Sequence, residues 1–273
     1  MIILLQNGNE MEEHEGIDEF VKTFINRKAD DDCKALTSFR SENIPKWLSM
    51  LDLEDCFLLQ PLRVSFVEDD YALSFRGLEE NKARKVMAVI CDYIYTGGQY
   101  TIVLPLSFGT GTTYHTNVVL IYPVRQEYER FEPYGQYRTK KEIQSNADVF
   151  RLDMAMNSFM VNVLPEYCPI LSLFDYVTTA DYCPRFKAPQ YVQEKPIFEK
   201  VVKNESVDFV GFCTVWSMMY AHLRIIFPEL DGKQVLEQLL GSVKRHSILR
   251  FTWDTSTSMT KLVQRYACFL NSL

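Results

Sequence analysis

The sequence predicts an α+β fold, a mainly antiparallel mixed sheet flanked by helices, with Cys213 at the start of a central helix. Three observations predict it. Between residues 100 and 131 three β-prone runs follow one another at turn spacing, the pattern of an antiparallel meander. On both sides of that stretch, apolar residues recur at helical spacing. Finally, Gly211 precedes a run from Cys213 in which Trp216, Tyr220 and Leu223 form one apolar stripe.

Residues 6–16 are polar and acidic and read as a lead-in. Ile17, Phe20, Val21, Phe24 and Ile25 then predict a helix over 16–27, ended by the acidic run at 30–32. A second helical piece follows Pro45, with Trp47, Leu48, Leu51 and Leu53 apolar. Residues 56–75 are strand-like, and Pro61, which cannot donate to a ladder, suits an edge. Val86, Met87, Val89, Ile90 and Ile94 give a helix over 78–95, closed by Gly97 and Gly98. The meander follows, with a strand at 100–106, a small-residue loop at 107–113 and a strand at 115–122 that opens on His115. A turn at 123–126 leads to a strand at 127–131, which runs into Glu132, Pro133, Tyr134 and Gly135. Antiparallel pairing would set His115 and Glu132 side by side at one edge of the sheet.

Residues 139–164 predict a long helix stopped by Pro165, its methionines read as core packing. A fourth strand is expected at 170–177, a proline-punctuated segment at 182–192 and an exposed linker at 193–207. The helix from Cys213 is stopped by Pro228, and two more, at 233–244 and 256–273, close the chain. As domains, residues 1–98 read as a mostly helical N-terminal region suited to substrate or partner recognition, and 99–273 as the core.

A chain with 47% apolar and 24% charged residues is globular rather than disordered. Its net charge of −7 argues against a nucleic-acid or anionic-membrane footprint, and the basic residues at 138–141 read as a solvated helix start. The apolar start, Met1 to Leu5, lacks the basic flank and length of a signal peptide, and no run approaches membrane-spanning length. The expected setting is the cytoplasm or another reducing compartment, with no membrane partner. Seven cysteines, an odd number without CxxC spacing, read as reduced thiols. Zinc is not expected, because His14, His115, His222 and His246 do not pair with cysteines at ligand spacing.

A nucleophilic cysteine needs its thiolate form, which a helix N terminus and a nearby imidazolium both favour. Cys213 has the first by position, and His115 is the candidate for the second, able to protonate a leaving amine. Glu132 would bind the other ring nitrogen and fix the tautomer. The Cys213 backbone N–H would help hold an oxyanion. Taken singly, each residue has a plainer reading: a strand-end histidine, a solvated turn glutamate, a packed cysteine. Their joint order favours the chemical one.

His115, the FEPYG of 131–135 and the GFC of 211–213 at a helix head resemble the adenain family of adenovirus maturation proteases. More distantly they resemble the ubiquitin-like-protein proteases of the same clan. The combination HxN at 115–117, ERFEPxG at 129–135, CPxxxxxQ at 183–190 and GFCxxWS at 211–217 is similar to predicted cysteine proteases of giant DNA viruses. The resemblance covers about residues 100–227. It implies a papain-like fold in circularly permuted order, with His115 as general base, Glu132 as orienting acid and Cys213 as nucleophile. It also implies no cofactor and a protein substrate, a ubiquitin-like conjugate or a viral polyprotein cut after a small or glycine residue. The setting would then be an infected host cell or a virion. Two positions depart from the pattern. The oxyanion glutamine belongs six or seven residues before the cysteine, where Ser206 and Val207 stand; Gln193 is nearer, but Gln190 fits the giant-virus spacing better and is the candidate. Thr116 stands where ubiquitin-like-protein proteases carry tryptophan.

Other readings stay open. Within the same clan, acyltransferases use a His-Glu-Cys site, and a protein could keep the fold for binding alone. Cys56, Cys91 and Cys268 read as core, Cys33 beside acids as a poor nucleophile, and Cys168 as lacking an activator. Cys183 is the other thiol worth testing. His222, nine residues after Cys213, falls on the opposite helix face. Asp208 could replace Glu132 but suits a helix cap.

Overall fold

The computed structural model describes residues 15–26, 49, 56–67, 72–110, 113–135, 147–183, 188–193, 212–249 and 255–272. The helical piece after Pro45, the basic residues at 138–141, the linker at 194–207, and Cys33, Asp208 and Gly211 lie outside them. The strands are β1 (Cys56–Leu58), β2 (Leu62–Val67), β3 (Ala72–Ser74), β4 (Thr101–Thr110), β5 (Thr113–Tyr122), β6 (Glu127–Phe131) and β7 (Asp175–Val177). The helices are α1 (Glu15–Asn26), α2 (Leu78–Tyr95), α3 (Ala147–Ser158), α4 (Leu164–Tyr167), α5 (Thr179–Tyr182), α6 (Cys213–Ile226), α7 (Gly232–Leu249) and α8 (Thr255–Ser272).

The strands form one mixed sheet in the order β3-β2-β4-β5-β6-β7. Its longest ladders, β4–β5 and β5–β6, are antiparallel, as the meander predicts. Parallel pairs lie outside them: β1 and β2 follow one another along the same side of β4, and β7 adds to β6. Pro61 falls in the break between β1 and β2 rather than on an edge strand, so its missing N–H interrupts no ladder. β1 and β2, which precede residue 98, pair with β4, so strands from both sides of that position share one hydrogen-bonded sheet, and the strand-like reading of 56–75 agrees with β1 to β3.

Alternate residues of β5 explain why its run is apolar throughout. Val118, Leu120 and Tyr122 join one core with Trp216, Met219 and Tyr220, while Val119 and Ile121 join the other with Met87, Met156 and Phe159. The first core holds α1, α6, α7 and α8, and the second holds α2, α3 and α4. Both faces of the central strands are therefore buried. No helix among the described residues is long and apolar enough to cross a membrane.

Three boundaries differ from expectation. β4 continues to Thr110 and β5 begins at Thr113, so His115 is the third residue of its strand, paired with Phe108, rather than the first. The helix after α3 passes through a π-helical turn at Phe159–Val163 and resumes as α4, with Pro165 in its first turn, where a missing N–H needs no partner. Cys91 and Cys168 are joined by a disulfide with a Cα–Cα distance of 5.5 Å, and Cys268 is also disulfide-bonded. These cysteines are thus not the reduced thiols that the spacing suggests.

His222 illustrates how α6 is embedded. Its ring meets Phe20 edge-on at 5.5 Å, and Nδ1 lies 3.0 Å from the Tyr266 hydroxyl. Burial lowers its pKa from 6.5 to about 4. A histidine held neutral in the fold contributes stability that is intact above the unfolded value and is lost as pH falls from 6.5 toward about 4. Thermal melts should show that acid slope, and His222→Gln should flatten it; an unchanged slope in the variant would rule this residue out as its source.

Candidate active site

His115, Glu132 and Cys213 come together where β5, the turn after β6 and the head of α6 meet. The turn is built by FEPYG: the Gly135 N–H donates to the Glu132 carbonyl at 2.8 Å, and Gly135 has φ of 65°, a left-handed value that favours glycine. That turn bends the Tyr134 N–H back onto Glu132 Oε1 at 3.0 Å. Glu132 Oε1 also lies 2.6 Å from His115 Nε2, and Asn117 Nδ2 donates to Oε2 at 2.9 Å. With Nε2 engaged by Glu132, Nδ1 is the ring nitrogen left for a second partner, and Cys213 is near enough to feel the imidazole charge.

The electrostatics follow from these contacts. Burial pushes the Glu132 carboxyl up, but the His115 charge and hydrogen bond, Arg130 and the Tyr134 N–H outweigh it and hold the pKa at about 2. Burial pushes the His115 imidazolium down, yet Glu132 and Cys213 raise its pKa well above the ordinary histidine range. Burial pushes the Cys213 thiol up, and the His115 charge, the His115 hydrogen bond and the Thr116 backbone N–H overcome it, lowering the pKa. The side chain of His115 stays 28% exposed while that of Glu132 stays 5% exposed. A substrate can therefore reach the imidazole without displacing its orienting carboxylate.

α6 forms because its sequence is apolar nearly all round, and it buries twelve of its residues, Cys213 to Ala221 and Leu223 to Ile225. Among the described residues no Phe212 side-chain bond caps its N terminus, which begins with Trp216 N–H to the Phe212 carbonyl at 2.9 Å. Thr116 docks it instead: Thr214 Oγ1 donates to Thr116 Oγ1 at 3.0 Å and Ser217 Oγ donates to the Thr116 carbonyl at 3.1 Å. The residue that departs from the tryptophan of the resembling proteases is thus the one that seats the helix head beside His115.

The two glutamine candidates separate. Gln193 Oε1 accepts from Trp216 Nε1 at 2.7 Å, and its carbonyl accepts from Ser256 Oγ at 2.5 Å. Gln190, 1% exposed, donates its backbone N–H to the Pro133 carbonyl at 3.1 Å, which puts it against the turn that carries Glu132. Cys56 and Cys183 are thiols too. Cys183 is buried behind α5, whose Tyr182 hydroxyl donates to the Arg130 carbonyl at 2.7 Å. Thr116, Asn117 and Arg130 were not read as site residues from the sequence. Asn117 had a signal, since residues i and i+2 of a strand share a face and His115 is two positions away.

No family model matches the chain. It is 24% identical over 172 residues to a putative ankyrin repeat protein of Acanthamoeba polyphaga mimivirus, a match that covers 62% of this chain. The chain spans about a fifth of that relative, 22% of its length. Among solved structures it resembles the SUMO protease Ulp1 with its catalytic cysteine oxidised to a sulfenic acid, at a TM-score of 0.33 and 12% identity, over 98% of this chain and 99% of that one. It also resembles the Legionella pneumophila effector protein RavZ, at a TM-score of 0.30 and 11% identity, over 90% of this chain and 76% of that one. Scores this low bear on neither substrate nor residue roles.

Proposed function

We propose that the chain is a cysteine peptidase that cleaves peptide or isopeptide bonds with Cys213, His115 and Glu132. The observation that carries this reading is the His115 imidazole held by Glu132 at 2.6 Å and close enough to Cys213, at the head of α6, for its charge to lower the thiol pKa. A histidine charge acting on a cysteine at a helix head speaks against a protein that keeps the fold for binding alone.

In the first step the Cys213 thiolate attacks the substrate carbonyl carbon, and the charge moves to its oxygen. The Cys213 backbone N–H and the side-chain amide of Gln190 are the proposed donors to that oxyanion. Collapse breaks the C–N bond, the His115 imidazolium gives its proton to the departing amine, and a thioester remains. Water then attacks the thioester as His115 takes a proton from it, and the acid is released with the thiolate restored. Glu132 keeps the imidazole oriented throughout and stays ionised.

The substrate we propose from the motif resemblance is a protein chain with a small or glycine residue before the cut, in a ubiquitin-like conjugate or a viral precursor. Two electrophilic probes test it, one carrying a ubiquitin-like carboxyl terminus and one a short peptide ending in Gly-Gly. Labelling of the parent that is lost in Cys213→Ala is the expected result. Labelling that survives the substitution removes Cys213 as nucleophile. Should neither probe react while an acetyl donor acylates Cys213, the site is that of an acyltransferase.

A further inference from the structure

The carboxylate of Glu132 has two neighbours of positive charge, and only one of them is the histidine. Arg130 Nη1 stands 3.8 Å from Glu132 Oε2, beyond direct hydrogen-bond reach, with both side chains buried. Between them lies Asn117, fully buried. Its Oδ1 accepts from Arg130 Nη1 at 2.8 Å, and its Nδ2 donates to Glu132 Oε2 at 2.9 Å. A guanidinium can only donate, so the amide oxygen must face Arg130 and the amide NH2 must face the carboxylate. The orientation of Asn117 is therefore fixed by chemistry.

The ladder explains the placement. β5 and β6 pair as far as Val118 with Phe131, and one step further along the same register Asn117 falls opposite Glu132. Arg130 Nη1 also contacts Met156 Sδ, and the guanidinium lies within electrostatic reach of buried Asp153 of α3 and of Tyr176 of β7. Among the described residues the charged or titratable groups around Glu132 include His115 on β5, Arg130 on β6, Tyr134 of the same turn, whose ring centroid is 5.5 Å from that of His115, and, through the histidine, Cys213 on α6.

We propose that Asn117, oriented by Arg130, is a positioning residue that holds the Glu132 carboxylate on His115 and keeps it from closing into a direct ion pair with Arg130. An arginine within 4 Å would otherwise compete for a carboxylate that the site needs elsewhere. This inference rests on the reading of Cys213 and His115 as the working pair.

The test is the pH dependence of Cys213 alkylation by iodoacetamide, followed by mass spectrometry, in the parent, Asn117→Ala and Asn117→Ser. The serine variant shares the alanine variant's lost volume but keeps one O–H donor. In the alanine variant Glu132 turns toward Arg130, His115 loses its partner, and the thiolate limb of the alkylation profile should move up by about one pH unit. Turnover of a peptide substrate with Gly-Gly before the cut should fall about ten- to a hundredfold in kcat with KM little changed. The serine variant should lie between parent and alanine. An alanine profile that superposes on the parent overturns the proposal, and so does unfolding of both variants, since Asn117 would then hold the fold rather than the carboxylate. Alkylation needs no substrate. A failure of the peptidase reading, seen as probe labelling that survives Cys213→Ala, is thus distinguishable from a failure of this one.

Discussion

His115→Ala should lower turnover by about three orders of magnitude and, in the same variant, move the alkylation of Cys213 to higher pH. The two effects have one cause. The buried Cys213 sulfur would by itself favour the neutral thiol, and the His115 charge is the largest influence acting against burial. Without the imidazolium, burial prevails. In the parent, the folded cysteine pKa is lowered and the histidine pKa raised, and both shifts favour the thiolate–imidazolium pair. Alkylation should climb as the thiol loses its proton, while turnover, which also needs the imidazolium as acid, should climb and then decline, a bell whose limbs belong to the coupled pair. The buried thiol Cys183 serves as an internal control for entry of the reagent. A Cys213 profile that does not move in His115→Ala would separate the two residues chemically, whatever their geometry.

The parts of this site that were legible in the sequence are those with an uncommon residue at an uncommon place. A histidine and a glutamate at neighbouring strand ends and a glycine-preceded cysteine at a helix head each stand out, and the structure brings these three together. Thr116, Asn117 and Arg130 have no role legible in the sequence, although Asn117 and Arg130 fall within its HxN and ERFEPxG runs. Each lies inside a strand, and its significance depends on which neighbour the register supplies, which only the paired sheet decides. The small and polar run at 107–113 read as a loop for a related reason. Ser107 pairs with Thr116 and Phe108 with His115, so cross-strand partners hold polar residues in a ladder that local propensity disfavours. The Cys91–Cys168 bond spans 77 residues, and no local spacing reports a contact of that range. Pro165 misled through position: in a helix interior it stops the chain, but directly after the π turn it occupies the tolerated first turn of α4.

Arg224→Met should destabilise the protein by about 3–5 kcal/mol, a fall of roughly 10 °C in Tm for a chain of this size. Glu129 Oε1 accepts from Arg224 Nε at 2.8 Å, Tyr122 Oη at 2.7 Å and Tyr220 Oη at 3.0 Å, all buried between β6 and α6. Arg224 is 2% exposed, lies 5.1 Å from the Tyr122 ring centroid and donates a further bond to the Leu230 carbonyl. Methionine keeps much of the volume and removes the charge, so the cost measured is that of leaving a carboxylate buried without its cation. Glu129→Met combined with Arg224→Met should cost less than Arg224→Met alone, because the uncompensated charge is gone even though two tyrosine hydroxyls lose their acceptor. Arg224 lies eleven residues, about 16 Å of helix, beyond Cys213. Well below the melting temperature, the alkylation profile of Cys213 should therefore match the parent. That separates this pair, which fixes the helix against the sheet, from Asn117, which acts on the carboxylate itself. A loss under about 1 kcal/mol, or a double variant weaker than the single, would show that the pair does not hold α6 in place.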